Sequence, residues 1–456
     1  WSKAKAGLTN GCLESQTGGA QEMDSNNTPV AVVKYDETSE ALRKAIELAN
    51  GFEELKRPDR VLLKPNVVWG GSEKMPQFGV VTTSRLVEDL LQLLCEYGCE
   101  ISIGEGTLVN EELGSNTFRG FKWSGIERVA KKFGVKLIDF NKESSEQLEL
   151  NDTKVRIAAS ALEADFLIDI PVLKTHAQTK VSLGLKNLKG CLQMRSKMEF
   201  HKKGLERMIA LLSTKVKTKL TIIDGIYANE RGPGRIGTAH RMNLIIAGRD
   251  ILSSDIVGST ILGIDPSTVD HLREFAAITD RSLDIETIDV RGEKVEDVTR
   301  PLEWDLDYED IFCQAGISGI TVQKPGKTVR TNCASNCEAI IHLFCKDNKG
   351  MDLKGVEVCV GAEVRPKEES KKVLLIGNCA IANNKDLKSA IRVKGCPIKI
   401  SEFLMSFVKN ALGKRRARRV LLVRFLKSLA HKLGTYDEYF PTYGYYEPPE
   451  FDKAHF

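Results

Sequence analysis

The sequence lacks long apolar runs and several familiar catalytic motifs. No stretch reaches the roughly 20 apolar residues that a membrane span needs, and residues 1–28 lack the apolar core of a signal peptide. The patterns GxxxxGK(S/T), HExxH and GxSxG are all absent, and no dinucleotide fingerprint is found. We therefore expect a cytoplasmic protein with a disordered leader over residues 1–28.

A large excess of one charge is lacking as well. The formal net charge of +4 over 456 residues gives no reason to expect binding to nucleic acid. Hydrophobic residues make up 42% and charged residues 28% of the chain, which is typical of globular proteins. At this length we expect two or three domains, and assembly into a homo-oligomer stays open.

No CxxC pair occurs, although the chain has 11 cysteines. Without an export signal, an odd number of cysteines favours reduced thiols used for metal binding or catalysis over disulfides. Most of the cysteines fall between Cys313 and Cys396. This asymmetry predicts a cysteine-bearing domain appended to a larger one.

Strand and helix patterns alternate from Pro29 to about residue 300. Such alternation predicts an α/β fold, with a doubly wound, mostly parallel sheet in a ligand-binding domain over residues 29–304. The shorter runs "VEVCVG" and "VLLIGNCA" predict a second, smaller cysteine-bearing α/β domain over residues 305–412. Residues 413–456 are expected to form a basic amphipathic helix and an aromatic tail.

Polar groups follow several of the predicted strands at the point where each strand ends. Ligands of open α/β sheets gather at the carboxyl ends of strands, so these groups predict a polar, largely cationic cleft for an anionic small molecule. The binding residues expected there are Lys64, Asn66, Glu105, Lys180, Lys186, Asn187, Lys189 and Glu230.

The stretch "LKTHAQTKVSLGLKNLKGC", residues 173–191, has four lysines and a histidine but no acid. Its cations would repel one another in a dry site, so a ligand carboxylate or phosphate, or acids from other loops, should neutralise them. His176 is able to exchange protons near neutral pH, and we expect catalysis to involve His176, Lys174 and Asp224. The alternative stays open: the lysines lie on an exposed helix, and His176 is a helix cap or a hydrogen-bonded core residue.

The cysteines of the smaller domain predict a metal site. Cys333 and Cys337 would share one face of a helix, Cys379 follows a strand, and Cys396 is followed by Pro397. Thiolates without neighbouring histidines favour iron–sulfur or zinc over harder metals. We expect these four residues to hold an iron–sulfur cluster, of [4Fe-4S] type, with buried structural thiols as the alternative.

Residues 414–432 are basic and contain no acid, and leucines recur there at helical spacing. Such a helix is expected to lie on an anionic membrane surface or to dock on a protein redox partner. The alternative is a solvated helix whose leucines pack on their own protein.

Several segments in order, among them "LLKPNVV", "ISIGEG", "LIDIPVLKTHAQTKVSLGLKNLKG" and "IIDGIYANERGPGRIG", resemble the family labelled domain of unknown function three-six-two, often described as iron–sulfur centre proteins. The resemblance covers about residues 29–297. It implies a shared α/β core and a characteristic residue set: Lys64, Asn66, Lys174, His176, Lys186, Asn187, Asp224, Glu230 and Asp255. Family members often carry CxxCxxC runs, from which this chain departs. The order of strands and glycine-ended loops is also similar to the amino-terminal domain of lactate racemase, whose enzymes use histidine acid–base pairs with a nickel pincer cofactor; no residues are carried across from that similarity.

These observations lead to three hypotheses of function. The first is a cytoplasmic iron–sulfur redox protein of an anaerobic setting, an oxidoreductase or electron-transfer component that binds an anionic small molecule. The second is a non-redox isomerase or racemase of a carboxylate that uses His176. The third is a non-catalytic assembly or electron-transfer subunit that docks through residues 414–456.

Overall fold

A computed structural model gives the architecture of most of the chain. Its coordinates describe residues 28–70, 77–109, 115–232, 237–304, 312–313, 315–323, 349–361, 363–367, 372–395, 398 and 451–456. The leader predicted over residues 1–28 and the basic helix predicted within residues 413–456 lie almost wholly outside these ranges. Residues 451–456 are described, and they pack against the α/β core.

The strands follow the apolar, β-branched runs of the sequence. They are β1 (Val30–Lys34), β2 (Arg60–Pro65), β3 (Glu100–Glu105), β4 (Lys136–Asp139), β5 (Ser145–Leu150), β6 (Thr153–Ala158), β7 (Phe166–Ile170), β8 (Val172–His176), β9 (Lys180–Val181), β10 (Leu220–Glu230), β11 (Thr238–Gly248), β12 (Val290–Gly292), β13 (Ser318–Gln323), β14 (Asp352–Val360), β15 (Lys372–Ile376) and β16 (Ile391–Val393).

Helices connect most of these strands. They are α1 (Ser39–Leu48), α2 (Ser84–Tyr97), α3 (Thr117–Trp123), α4 (Ile126–Phe133), α5 (Ala159–Glu163), α6 (Gly184–Asn187), α7 (Met194–Lys202), α8 (Leu205–Ser213), α9 (Ile251–Ile261), α10 (Asp270–Thr279), α11 (Val295–Val298) and α12 (Gly377–Asn383). Short 3₁₀ turns cover Leu188–Cys191, Pro266–Thr268, Ile285–Thr287 and Lys453–His455. Within the described residues, no helix is both long and apolar enough to cross a bilayer.

The main sheet runs in the order β12-β1-β11-β10-β7-β2-β3-β4, and β8 pairs with both β10 and β9. The neighbours from β10 to β4 are parallel, as is the β12–β1 pair. Strand β11 is antiparallel to both β1 and β10 because it returns directly from β10 as a long hairpin. The predicted doubly wound, mostly parallel α/β fold is confirmed.

Helices cover both faces of this sheet, and each face has its own apolar core. Alternate residues of a strand point to opposite faces. On β2, Leu62 joins the core that contains Met208 of α8, whereas Val61 joins the core that contains Leu90 of α2. Because parallel strands are buried on both sides, their sequences read as continuous apolar runs.

A second, four-stranded parallel sheet has the order β13-β14-β15-β16. Cys359 of β14 is buried and packs with Leu375 of β15 and Ala380 of α12. The strands predicted from "VEVCVG" and "VLLIGNCA" are therefore present. The domain boundaries at residues 304 and 412 remain predictions.

Candidate functional site

Three neighbouring strands bring charged side chains together at their carboxyl ends. In the order β7-β2-β3, these strands carry Asp169, Lys64 and Glu105. Lys64 is the register partner of Asp169 across the β2–β7 pair. All three side chains are buried, so they must satisfy one another or be satisfied by the loops that cover them.

Lys64 and Glu105 form a buried ion pair. Lys64 Nζ donates to Glu105 Oε2 at 2.8 Å and to the Pro65 carbonyl oxygen at 2.8 Å. The carboxylate also accepts the backbone N–H groups of Val67 and Gly106, at 3.2 and 2.8 Å. The neighbouring charges, Glu105 first, outweigh burial and raise the pKa of Lys64, so its ammonium stays charged.

Gly190 covers this ion pair. A Cβ at that position would lie 2.2 Å from Glu105 Oε1 and 2.5 Å from Lys64 Nζ. Any side chain there would force the pair apart. The glycine that follows Lys189 is thus needed for close packing of the 3₁₀ turn on the strand ends.

Two asparagine amides link Lys174 to Asp169 by hydrogen bonds. Lys174 Nζ donates to Asn66 Oδ1 at 2.6 Å and to the Val80 carbonyl oxygen at 3.0 Å. Asn66 Nδ2 donates to Asn187 Oδ1 at 2.9 Å, and Asn187 Nδ2 donates to Asp169 Oδ1 at 2.8 Å. The structure therefore brings together Lys64, Asn66, Glu105, Lys174 and Asn187, all of which were predicted for the site.

Asp169 and Cys191 lie at the inner end of this network. Burial raises the pKa of Asp169 well above its ordinary value, against the opposing effects of Lys64 and Asn187. Its Oδ2 atom has no hydrogen-bond partner among the described residues. Burial also raises the pKa of Cys191 to about 12, so this thiol stays protonated.

The remaining cations form a group that we call the lysine cluster: Lys174, Lys186, Lys189 and Lys197. Lys174 and Lys197 are buried, and Lys186 and Lys189 are half-buried. The hypothesis that the lysines of residues 173–191 lie on an exposed helix is therefore wrong for Lys174, Lys186 and Lys189.

Their pKa values are all lowered. Burial, followed by repulsion from Lys186, lowers the pKa of Lys174 to about 7. Burial lowers the pKa of Lys186 and of Lys197 to about 8 each. Burial and the charges of Lys186 and Lys197 lower the pKa of Lys189 well below its ordinary value. The protein holds several ammonium groups in surroundings that favour their neutral form.

His176 is buried beside the lysine cluster, and its contacts fix its tautomer. Its Nδ1 atom accepts the backbone N–H groups of Gln178 at 3.0 Å and Thr179 at 3.3 Å. Nδ1 therefore carries no proton, and the proton of the neutral ring is on Nε2. Burial and then the charge of Lys186 lower the pKa of His176 well below its ordinary value. His176 is a neutral hydrogen-bond donor, and the interpretation as a hydrogen-bonded core residue describes its Nδ1 side.

Asp255 binds the start of α6, the helix that carries Lys186. Its carboxylate accepts the N–H groups of Gly184 at 2.7 Å and Leu185 at 2.9 Å, the first residues of α6. The same helix carries Lys186 and Asn187. Burial raises the pKa of Asp255 to about 7, against these backbone hydrogen bonds.

Three predicted residues make their described contacts elsewhere. Asp224 accepts both the N–H and the hydroxyl of Thr83 at 2.7 Å. Glu230 contacts His240 Nε2 at 3.1 Å. Lys180 lies 5.5 Å from the centre of the Trp304 ring. All of these contacts are with other residues of the protein. A catalytic role for Asp224 and ligand binding by Glu230 and Lys180 stay predictions.

Sequence reasoning missed Asp169, Cys191 and Lys197. The first had a usable signal, since Asp169 interrupts the apolar strand "FLIDI" and an unpaired charge in a buried strand is rare. Lys197 belongs to α7, and its ammonium donates to the Gly106 carbonyl oxygen. It lies outside the lysine-rich stretch, and only the fold brings it to the strand ends.

The predicted iron–sulfur ligands are only partly described. Cys379 is half-buried in α12, directly after β15. Cys333, Cys337 and Cys396 lie outside the described residues. The cluster and its ligand set therefore stay a prediction.

The polar strand ends and the lysine-rich segment that covers them coincide with a known family model. Residues 61–260 match the family described as domain of unknown function (DUF362). The resemblance predicted from the sequence is confirmed for this segment, which contains every predicted site residue except the cysteines of the smaller domain.

Two further comparisons give relatives of known name. The chain is 27% identical to the thylakoid-associated protein sll1697 of Synechocystis over 236 residues, which are 50% of this chain and 71% of that protein. The lactate racemase apoprotein of Thermoanaerobacterium thermosaccharolyticum aligns with a TM-score of 0.33 at 14% identity. That alignment covers 56% of this chain and 58% of the racemase chain.

Proposed function

We propose that the DUF362 segment binds a small organic anion at the lysine cluster. The observation that carries this proposal is the chemistry of the lysine contacts. Lys174, Lys186 and Lys197 donate to neutral oxygen atoms of Asn66, Ser182 and Gly106, respectively, rather than to carboxylates. Glu105 acts on Lys174 and Lys197, and Glu206 acts on Lys186, but burial outweighs these carboxylates and the three pKa values stay lowered. A buried cation that is only partly compensated is disfavoured. A negatively charged ligand beside Lys186 and Lys189 would neutralise the outer part of the cluster and raise the pKa values of these two groups most.

The partial exposure of two lysines indicates the side from which a ligand would enter. Lys186 and Lys189 are partly exposed, whereas Lys174 and His176 lie deeper. An anionic group would therefore meet the outer two ammonium groups first. The rest of the molecule would then face Lys174 Nζ and the Nε2–H group of His176.

The arrangement favours proton transfer next to a carbonyl as the chemistry of the site. Lys174, with a pKa of about 7, exchanges protons near neutral pH. Asn66 Oδ1 and the Val80 carbonyl oxygen orient its amine. His176 would donate from Nε2 to a ligand oxygen and stabilise negative charge that develops there. In this isomerase or racemase hypothesis, Lys174 moves the proton and His176 is the hydrogen-bond donor.

Binding is tested by calorimetric titration at pH 7 with butyrate, 3-hydroxybutyrate and inorganic phosphate. We expect at least one of these anions to bind. The Lys186→Met variant should then weaken its affinity at least about tenfold, equivalent to 1.4 kcal/mol. Lys215→Met changes an exposed lysine outside the lysine cluster and serves as the control. No binding by the wild type, or equal losses in the two variants, would refute the proposal.

Proton transfer has a separate readout. Carbonyl and hydroxy acids that bind are incubated with the protein in deuterated water and examined by mass spectrometry. We expect deuterium to enter the carbon next to the carbonyl with wild type and not with Lys174→Met. Uptake that persists in this variant would exclude Lys174 as the base.

We also propose that the smaller domain holds the iron–sulfur cluster expected from its cysteines. The support is the sequence pattern of Cys333, Cys337, Cys379 and Cys396, together with the position of Cys379 after β15. When bound, such a cluster would supply one-electron transfer. Anaerobic purification with iron analysis and electron paramagnetic resonance tests this proposal. Protein without iron, or an unchanged spectrum for Cys379→Ser, would remove the redox hypothesis.

A third proposal concerns the basic segment over residues 414–432, which lies outside the described residues. We propose that it binds an anionic membrane surface. The support is its eight lysines and arginines without an acid, and the name of a relative that is thylakoid-associated. Sedimentation with vesicles that contain anionic lipid should lose most of its signal when Arg415, Arg416, Arg418 and Arg419 are changed to glutamate. Equal sedimentation of this variant would contradict the proposal.

A further inference from the structure

His271 is a buried histidine whose ring nitrogens are both unsatisfied. It lies at the start of α10 and is 0% exposed. Neither Nδ1 nor Nε2 has a hydrogen-bond partner in the described part of the chain. A buried polar group of this kind is unusual in a native protein and points to a partner that the protein itself does not supply.

His271 lies beside the lysine cluster. Helix α8 contacts both α10, which carries His271, and α6, which carries Lys186. Lys186 is close enough to act on the ring: burial first, and then the Lys186 charge, lower the pKa of His271 to about 3. His271 in turn contributes to lowering the pKa of His176. At neutral pH both rings are therefore uncharged, and His271 offers one donor and one acceptor.

A second unsatisfied atom belongs to Gln178, in the loop that binds His176. Gln178 Oε1 is buried and has no partner among the described residues, although the Gln178 backbone binds His176. Glu206 of α8 is hydrogen-bonded by the Gln178 side chain. Burial raises the Glu206 pKa, a backbone hydrogen bond lowers it, Asp270, the neighbour of His271, raises it, and Gln178 and Lys186 lower it. An acceptor such as Gln178 Oε1 needs a donor, which a deprotonated carboxylate or phosphate group does not provide.

We propose that His271 and Gln178 bind a hydroxyl group of the organic anion, so that the site selects a hydroxylated anion over its unhydroxylated counterpart. This inference rests on the proposed function. A hydroxyl oxygen accepts a hydrogen bond from the imidazole N–H of His271, and its hydrogen is donated to the amide oxygen of Gln178. An amino group could also donate, but its positive charge would be repelled by Lys186 and Lys189.

The test compares two pairs of anions that differ only by hydroxyl groups on carbon: butyrate with 3-hydroxybutyrate, and propyl phosphate with glycerol 3-phosphate. In calorimetric titrations of the full chain, we expect the hydroxylated member of at least one pair to bind about tenfold or more tightly. His271→Phe should abolish this preference, while His271→Gln, which keeps a donor and an acceptor, should retain part of it. His455→Phe is the control, because the described contacts of His455 are with Tyr227 and Asp452.

A nuclear magnetic resonance measurement on the wild type tests the same proposal even if the His271→Phe variant does not fold. The ¹⁵N shifts of the His271 ring in the wild type should change when 3-hydroxybutyrate or glycerol 3-phosphate is added, and should change less with the unhydroxylated partners. Equal affinities within both pairs, together with unchanged ring shifts, would overturn this inference while leaving anion binding intact. Failure of all four anions to bind would instead refute the proposed function, and this inference with it.

Discussion

Lys64 Nζ and Glu105 Oε2 lie 2.8 Å apart with both side chains buried, and they join β2 to β3 below the lysine cluster. Removing one partner of a buried pair leaves an uncompensated charge. We expect Glu105→Gln to lower the free energy of unfolding by about 3–5 kcal/mol. Urea unfolding at pH 7 measures this change.

The double variant Lys64→Met/Glu105→Gln separates the contribution of the ion pair to stability from that of side-chain packing. Because it removes both charges, it should be more stable than Glu105→Gln alone. A double variant that is less stable by the sum of the two single effects would contradict a coupled pair.

The lowered pKa of Lys174 predicts an unusual dependence of stability on pH. Its folded pKa of about 7 lies below the ordinary lysine value of 10.5, so the unfolded chain binds more protons between these values. Stability should therefore rise with pH across this window, and the whole penalty is present below pH 7. Lys174→Met should reduce the rise between pH 7 and pH 9 by about 2 kcal/mol.

Urea unfolding at several pH values tests this sign. The Lys215→Met variant should keep the wild-type slope because the side chain it changes is exposed. A slope unchanged in Lys174→Met would show that Lys174 is protonated normally in the folded protein.

Asp255 fixes the start of α6 and, through that helix, the position of Lys186. We expect Asp255→Ala to lower stability by about 2 kcal/mol, because two backbone N–H groups lose their acceptor. It should also weaken anion binding. Asp265→Ala removes a comparable cap from the Pro266–Thr268 turn and should leave anion affinity unchanged. Equal effects of the two variants on affinity would contradict the role given to Asp255.

Tyr227 holds the chain end on the main sheet. Its hydroxyl lies 2.8 Å from His455 Nδ1 and accepts the Asp452 N–H at 3.0 Å. Tyr227→Phe should expose residues 452–456 to faster hydrogen exchange, equivalent to about 1 kcal/mol of lost local stability. Mass spectrometry of the terminal peptide measures this, with the exposed Tyr97→Phe as control. Unchanged exchange would show that the aromatic packing alone holds the segment.

The sequence predicts the α/β sheet well because its information is local. Apolar runs such as "RVLLKP" and "FLIDI" need only their own residues to be recognised as buried strands. The antiparallel placement of β11 was not predicted, because it depends on which strands pair after a hairpin. The apolar pattern of β11 is compatible with either parallel or antiparallel pairing.

The candidate site was predictable where polar residues end strands or cluster in sequence. Lys64, Lys174 and Asn187 were found in this way. Lys197 and His271 were not, because each lies on a helix among unremarkable neighbours and reaches the site only through tertiary packing. The fold also changed the role expected for His176, since the two backbone N–H groups at Nδ1 cannot be read from spacing.

We expect uncharged lysines of the lysine cluster to take up protons when an anion binds. Calorimetry at pH 8 in two buffers of different ionisation enthalpy measures that uptake directly. Because the pKa of Lys186 is about 8 before binding, we expect net proton uptake at pH 8 and little at pH 6. Binding at pH 8 without proton uptake would contradict this expectation.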